Sequence, residues 1–172
     1  MNIRFSGFGG QGVVLSGVIL GWAALLDNRN TIQTQSYGSS ARGGSCKCDV
    51  IIQDSFIYEL EPVNLDVLVS FSQPAYNKYK ASLKANGTLF IDSDLVLNVD
   101  ERENIWKIPA TDIAFKEIQH KIMANIVMLG YINSKKNLVN PESLEASIKK
   151  YVPEKFFALN IEALWKGMNY TG

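Results

Sequence analysis

"IRFSGFGGQGVVLSGVIL", residues 3–20, runs a short apolar stretch, a glycine-rich turn and a long apolar stretch together without a break. The first part predicts a strand over 2–6, and the last a helix over 11–26 that is apolar almost all round. A helix without a polar face is buried on several sides, as when it lies on a sheet and beneath a further layer. Between them, Gly7, Gly9, Gly10, Gln11 and Gly12 satisfy G-x-G-x-x-G. In that pattern the first glycine permits the tight turn, the second admits a ligand close to the backbone, and the third lets helix meet sheet. The N–H groups at the helix start favour an anion. The bare backbone therefore has three readings: a dinucleotide, another phosphate-bearing ligand or partner chain, or internal packing.

Two tests narrow them. A dinucleotide site needs a carboxylate about twenty residues on, at the end of the second strand, to hold the ribose. Here "NTIQTQS" offers Gln33 and Gln35, and Asp27 comes too early. An ATP-binding P-loop needs Lys-Ser/Thr after its last glycine, where Val13 and Val14 stand instead.

A second glycine stretch, "YGSSARGG" at 37–44, follows a strand expected at 31–35. Arg42 lies in it beside Gly38, Gly43 and Gly44, after Tyr37. A guanidinium fork suits phosphate or carboxylate. Loops after parallel strands open on one rim of the sheet, so Arg42 is expected to face the space above Gly9–Gln11. A solvated arginine on a surface loop is the alternative.

Downstream, "SCKCDVIIQ" at 45–53 alternates as a half-exposed strand, and Ser55–Leu60 is expected to pair with it as a hairpin around Gln53–Asp54. "DVLVSF" at 66–71 reads as a buried parallel strand. Ser72 is expected to cap a helix with Pro74 in its first turn, ending at Asn86–Gly87. Strands are expected at 88–91 and 105–109, then a long helix at 112–132, one from Asn140–Pro141 to Tyr151, and one from Pro153 to Gly167. This alternation predicts an α/β, Rossmann-like three-layer fold with a mostly parallel sheet, right-handed crossovers and a helical C-terminal third, as one domain over 1–172.

The 17 basic and 17 acidic residues cancel, which argues against a nucleic acid or an anionic membrane as partner. The longest apolar stretch, Val13–Leu26, is shorter than the about 20 residues a bilayer requires. No targeting segment is evident, and a cytoplasmic location is expected. With two cysteines and one histidine the chain lacks the ligands of a cluster or structural zinc. Cys46 and Cys48 therefore read as structural, a ligand set shared with another chain being the alternative. His120 reads as a surface or subunit-contact residue, and Asp92 with Asp94 as a turn. The late aromatics Tyr151, Phe156, Phe157 and Trp165 read mostly as core, their excess suiting burial against a partner.

"GFGGQGV", "YGSSARGG", "DVLVSF", "IPATDIA" and "ANIVMLG" come in an order that resembles the gamma subunit of 2-oxoacid:ferredoxin (acceptor) oxidoreductases, and "ALNIEALWKGM" is similar to that family's closing Asn-x-x-A-x-x-x-G helix. The resemblance spans nearly the whole chain and is greatest to the 2-oxoglutarate type. Pyruvate, branched-chain and indolepyruvate versions are the alternatives, as is a free-standing coenzyme A or nucleotide-binding module.

The resemblance implies a non-catalytic but required subunit of an enzyme that turns 2-oxoglutarate into succinyl-CoA, CO2 and reduced ferredoxin. It implies alpha and beta subunits holding thiamine diphosphate and magnesium, iron–sulfur clusters in beta and in a ferredoxin-like delta subunit, and ferredoxin or flavodoxin as acceptor. Gly7, Gly9, Gly10, Gln11 and Gly12 match the first motif; Tyr37, Gly38, Arg42, Gly43 and Gly44 match the second. These are expected at the coenzyme A side of the site or at a subunit seam. Asn125 and Gly130 match the helical motif, and Asn125 is expected to bond loop backbone rather than ligand.

Overall fold

A computed structural model describes residues 1–37 and 45–172. Its strands are β1 (Asn2–Phe8), β2 (Asn30–Tyr37), β3 (Ser45–Gln53), β4 (Leu65–Ser70), β5 (Leu83–Asp92) and β6 (Ile105–Ile108). Its helices are α1 (Val13–Leu26), α2 (Gln73–Tyr79), α3 (Ala110–Lys116), α4 (Ala124–Lys136), α5 (Pro141–Tyr151) and α6 (Phe157–Met168). All six strands share one sheet in the order β2-β3-β1-β4-β5-β6. Neighbours from β1 through β6 are parallel, while β3 lies antiparallel to both β1 and β2. Five strands thus point one way and β3 alone is reversed, so the mostly parallel α/β sheet expected from the sequence is what forms.

The strands' alternation decides the layers. Phe5, Val67 and Val69 face a large apolar cluster under α1 and α4–α6, whereas Leu68, Leu89 and Ile91 face a smaller one under Tyr76 and Tyr79 of α2. With helices on both faces, the centre of β4 has no wet side, which explains its unbroken apolar run Val67–Val69. On the α2 face, Arg4 donates to both carboxylate oxygens of Asp49 at 2.6 and 3.0 Å. Both side chains are almost fully buried, and only such bidentate pairing offsets the desolvation of two charges. Ser72 caps α2 as expected, its hydroxyl accepting from the Ala75 N–H.

Four local expectations are corrected. Ser55–Leu60 forms no hairpin with β3, whose two edges are already taken by β1 and β2. The helix after Ser72 ends at Tyr79 and passes through a 3-10 turn, so Asn86–Gly87 lie inside β5. The helix expected at 112–132 is two, α3 and α4. Between them Gln119 takes φ of 63° and His120 is extended, which keeps α4 from continuing α3 although neither residue is a breaker by type. The second strand runs to Tyr37 rather than Gln35. No helix among the described residues is long and apolar enough to cross a membrane.

Candidate functional site

The carboxyl ends of β1 and β4 lie side by side, yet α1 after β1 packs on one face of the sheet and α2 after β4 on the other. Such a reversal opens a crevice where α/β sheets bind ligands. The glycine loop stands at its edge, and each glycine there has its own cause. A Cβ on Gly7 would press 3.0 Å from Val13 and 3.1 Å from Phe71, so Gly7 serves packing. Gly12 has φ of 72°, and a Cβ there would strike the Asn125 side chain. At Gly9 and Gly10 a Cβ would meet nothing within 4 Å; Gly10, at φ of 94°, also needs the left-handed conformation. Only these two leave backbone open to an incoming group.

Two amides hold the loop. Gln11 Oε1 accepts from the Phe8 N–H at 2.6 Å and Gln11 Nε2 donates to the Phe71 carbonyl at 2.8 Å, stapling the turn to the end of β4. Asn125, buried at the start of α4, donates to the Gly12 carbonyl at 3.2 Å. No side chain caps α1, and its first main-chain bond outside the helix runs from Ser16 N–H to the Gly12 carbonyl. The first-turn N–H groups have no partner within the helix, so they suit an anion or a partner's carbonyl.

The loop is a ridge between two hollows. On one side a cleft of about 580 Å³ is lined by Phe8, Gly9, Val14 and Leu15, by Tyr37 and Cys46 across the sheet, and by His120, Ile122 and Phe156 from the helical third. Its walls are mainly apolar. Tyr37 and Ile122 border it while 63% and 65% exposed, so the cleft continues into an open apolar surface. On the other side a hollow of about 310 Å³ brings Lys121, Thr111 and Phe71 to Gly10 and Gln11.

Of the residues expected at the site, Gly9, Gly10, Gly12, Tyr37 and Asn125 line the larger hollow and Gln11 the smaller, while Gly7 packs inward. Gly38, Arg42, Gly43 and Gly44 lie outside the described residues. The sequence reading named His120 and Phe156 without placing them in this cleft, and it passed over Ile122. Nothing in the sequence sets Ile122 apart from a core isoleucine; its exposure appears only in the fold.

Ribose binding of the dinucleotide type meets a geometric obstacle as well as the missing carboxylate. Because β3 intervenes, the end of β2 stands two strand spacings from β1, about 10 Å. Burial pushes the Cys48 thiol up to about 11, and raises that of Cys46 too, so both stay protonated near neutral pH. Cys48 lies beneath Gly17 of α1 and accepts from Gln33 Nε2 at 3.1 Å. Among the described residues no three His, Cys, Asp or Glu side chains cluster as metal ligands. Asp92, at the end of β5, is held above the usual carboxylate range by burial, against the bonds it accepts from Thr111 and Asp94. It ties β5 to the start of α3.

The pyruvate ferredoxin/flavodoxin oxidoreductase family matches residues 2–170. The chain belongs to that family. The 2-oxoglutarate synthase subunit KorC of Methanocaldococcus jannaschii is 47% identical over 171 residues, covering 96% of this family member and 91% of KorC. The gamma subunit of a keto/oxoacid ferredoxin oxidoreductase from Geobacter sulfurreducens has the same fold at a TM-score of 0.85 and 39% identity, over 96% of this chain and 95% of that one. A longer chain, of 2-oxoglutarate:ferredoxin oxidoreductase from Magnetococcus marinus, was solved with 2-oxoglutarate, coenzyme A and succinyl-CoA bound. It shares the fold at a TM-score of 0.87 and 24% identity, over 98% of this chain and 30% of its own length. The gamma-type resemblance read from the motifs and the α/β fold are both borne out.

Proposed function

We propose that this chain is the gamma subunit of a 2-oxoglutarate:ferredoxin oxidoreductase and forms the coenzyme A side of a shared active site. The likeness to KorC and to a gamma subunit supports the subunit, and the observation that carries the coenzyme A side is the open backbone at Gly9 and Gly10 beside a largely apolar cleft. A molecule with an anionic diphosphate and a less polar arm matches that pairing: first-turn N–H groups for the phosphates, apolar walls for the arm. In this reading the chain's residues bind and orient the acyl acceptor and shield it from water. Gln11 and Asn125 fix the loop; neither exchanges a proton with substrate.

The redox chemistry belongs to partner chains. Thiamine diphosphate with magnesium is assigned to alpha and beta, iron–sulfur clusters to beta and a ferredoxin-like delta subunit, and the complex to the cytoplasm, with ferredoxin or flavodoxin as acceptor. Arg42, with Gly38, Gly43 and Gly44, is assigned to the same rim by its motif.

Native mass spectrometry of the gently and anaerobically purified protein tests the assembly: it should travel with thiamine-diphosphate and cluster-bearing chains, and arrival alone would refute the assignment. Within the complex, Gly9→Ala tests the site. The expected result is a KM for coenzyme A raised about tenfold with the KM for 2-oxoglutarate unchanged, corresponding to about 1.4 kcal/mol of lost binding. A second reading, in which the cleft seats a partner chain, is favoured by the exposure of Tyr37 and Ile122. It predicts instead that Gly9→Ala weakens assembly and leaves both KM values alone.

A further inference from the structure

Residues 119–123 join α3 to α4 in a way that the helix period does not allow. Gln119 takes φ of 63°, a conformation that few residues other than glycine adopt, His120 is extended, and Lys121–Met123 form a single 3-10 turn. An unbroken helix turns consecutive side chains about 100° apart. The break instead brings three in a row to the glycine ridge. His120 borders the larger cleft, Lys121 the smaller hollow, and Ile122 both.

Charge separates the two hollows. Among the described residues no lysine, arginine, aspartate or glutamate lines the larger cleft. Among the same residues Lys121 is the one charged side chain lining the smaller hollow, whose other walls include Phe71, Leu95 and Ala124. Thr111 donates its hydroxyl hydrogen to Asp92 at 2.6 Å, so it has none left for a guest. Lys116 is paired with Asp112 and Lys166 with Glu117, whereas Lys121 pairs with no carboxylate among the described residues. Its ammonium lies 4.6 Å from the centroid of the Phe115 ring, which is itself 53% exposed. The ring's face attracts the cation without neutralising it. An ammonium with hydrogens to give, beside bare backbone at Gly10 and apolar walls that strengthen pairing, suits anionic oxygens.

We propose that Lys121 pairs with the diphosphate of coenzyme A in the smaller hollow, while the less polar arm crosses the Gly9–Gly10 ridge into the larger cleft. This rests on the reading of the chain as the coenzyme A side of a shared site. The hollow adjoins Gly10 and Gln11, so one group can meet both the loop and the ammonium. Of the phosphates of coenzyme A, the diphosphate is joined directly to the arm, whereas the adenosine separates the 3′-phosphate from it. The group that shares the ridge with the arm is therefore the diphosphate.

Lys121→Gln in the assembled complex is the test, with Lys121→Arg beside it. The glutamine variant should raise both the KM for coenzyme A and its Kd by titration calorimetry about tenfold, with the KM for 2-oxoglutarate unchanged. The same factor should appear with dephospho-coenzyme A, which keeps the diphosphate and lacks the 3′-phosphate. Arginine should restore most of the loss, and added salt should weaken coenzyme A binding less in the glutamine variant than in the wild type. Unchanged coenzyme A binding overturns the assignment of Lys121. If Gly9→Ala still raises the KM for coenzyme A, the reading of the site stands; if neither variant does, both fall. A penalty that vanishes with dephospho-coenzyme A gives Lys121 to the 3′-phosphate, and a rise confined to 2-oxoglutarate gives it to a carboxylate. Either overturns the pairing. Failure of the glutamine variant to assemble makes Lys121 a partner contact and overturns it as well.

Discussion

Glycine appears at two kinds of place in this molecule, and the two demand it for opposite reasons. Where α4 crosses α6, a Cβ on Gly130 would strike the Leu164 carbonyl and one on Gly167 would strike the Val127 carbonyl. Each glycine is met by the other helix's main chain, which has no rotamer by which to yield. At the rim, Gly9 and Gly10 face nothing. One pair is glycine so that the protein can touch itself; the other leaves its backbone uncovered by the protein. A sequence motif writes both with the same letter, and only the surroundings tell stability from access.

The sharpest way to break this contrast is Gly167→Ala. Forcing two helix backbones apart should cost about 3 kcal/mol, only partly offset by the about 1 kcal/mol that alanine gains in a helix. The urea midpoint measures it, and a midpoint equal to that of the wild type would mean the helices do not cross as closely as described. Asn125→Ala comes next. It removes one of the bonds to the Gly12 carbonyl, at 3.2 Å, while the bond from the Ser16 N–H remains, and should cost about 1 kcal/mol by the same measurement. A loss confined to assembled activity would instead make Asn125 a ligand contact.

Gly10→Ala should cost about 1 kcal/mol through its φ of 94° and not through any clash. Asp92→Asn probes the rim by pH. The folded chain holds the Asp92 proton above the ordinary carboxylate range, so this group's contribution to stability falls as pH rises from that range through its folded value. The variant should flatten that part of the stability–pH curve, and an unaltered slope would remove Asp92 as its source. Gly9→Ala should move stability by no more than about 0.5 kcal/mol. A larger loss would put Gly9 with Gly167 and remove the contrast.

The local features were legible because their causes are local. The turn at 7–12, the Ser72 cap and the buried β4 each depend on residues a few positions apart, and each lies close to where its pattern puts it. Strand β3 was not legible as a filler between β1 and β2, because nothing near Cys46–Gln53 states that both its edges are claimed from elsewhere in the chain. Ser55–Leu60 misled for a related reason, since it has a strand's apolar and aromatic residues and lacks a strand's neighbour. At the site, the glycines could be picked out but not sorted. Gly7 and Gly9 look alike until Phe71 and Val13 are seen to crowd one and leave the other bare. The cleft's far wall, Ile122 and Phe156, comes from more than a hundred residues downstream of the loop, beyond the reach of any spacing rule.

The clasp between α4 and α6 has a consequence for the order of synthesis. Asn125, which holds the Gly12 carbonyl, stands at the head of α4, and α4 is fixed along its length by α6 through Gly130 and Gly167. Residues 7–12 leave the ribosome well before α6, which follows them by more than a hundred residues. The nascent chain therefore makes this loop first and secures it only after α4 and α6 have followed. Until α6 has emerged and docked, the loop lacks its brace.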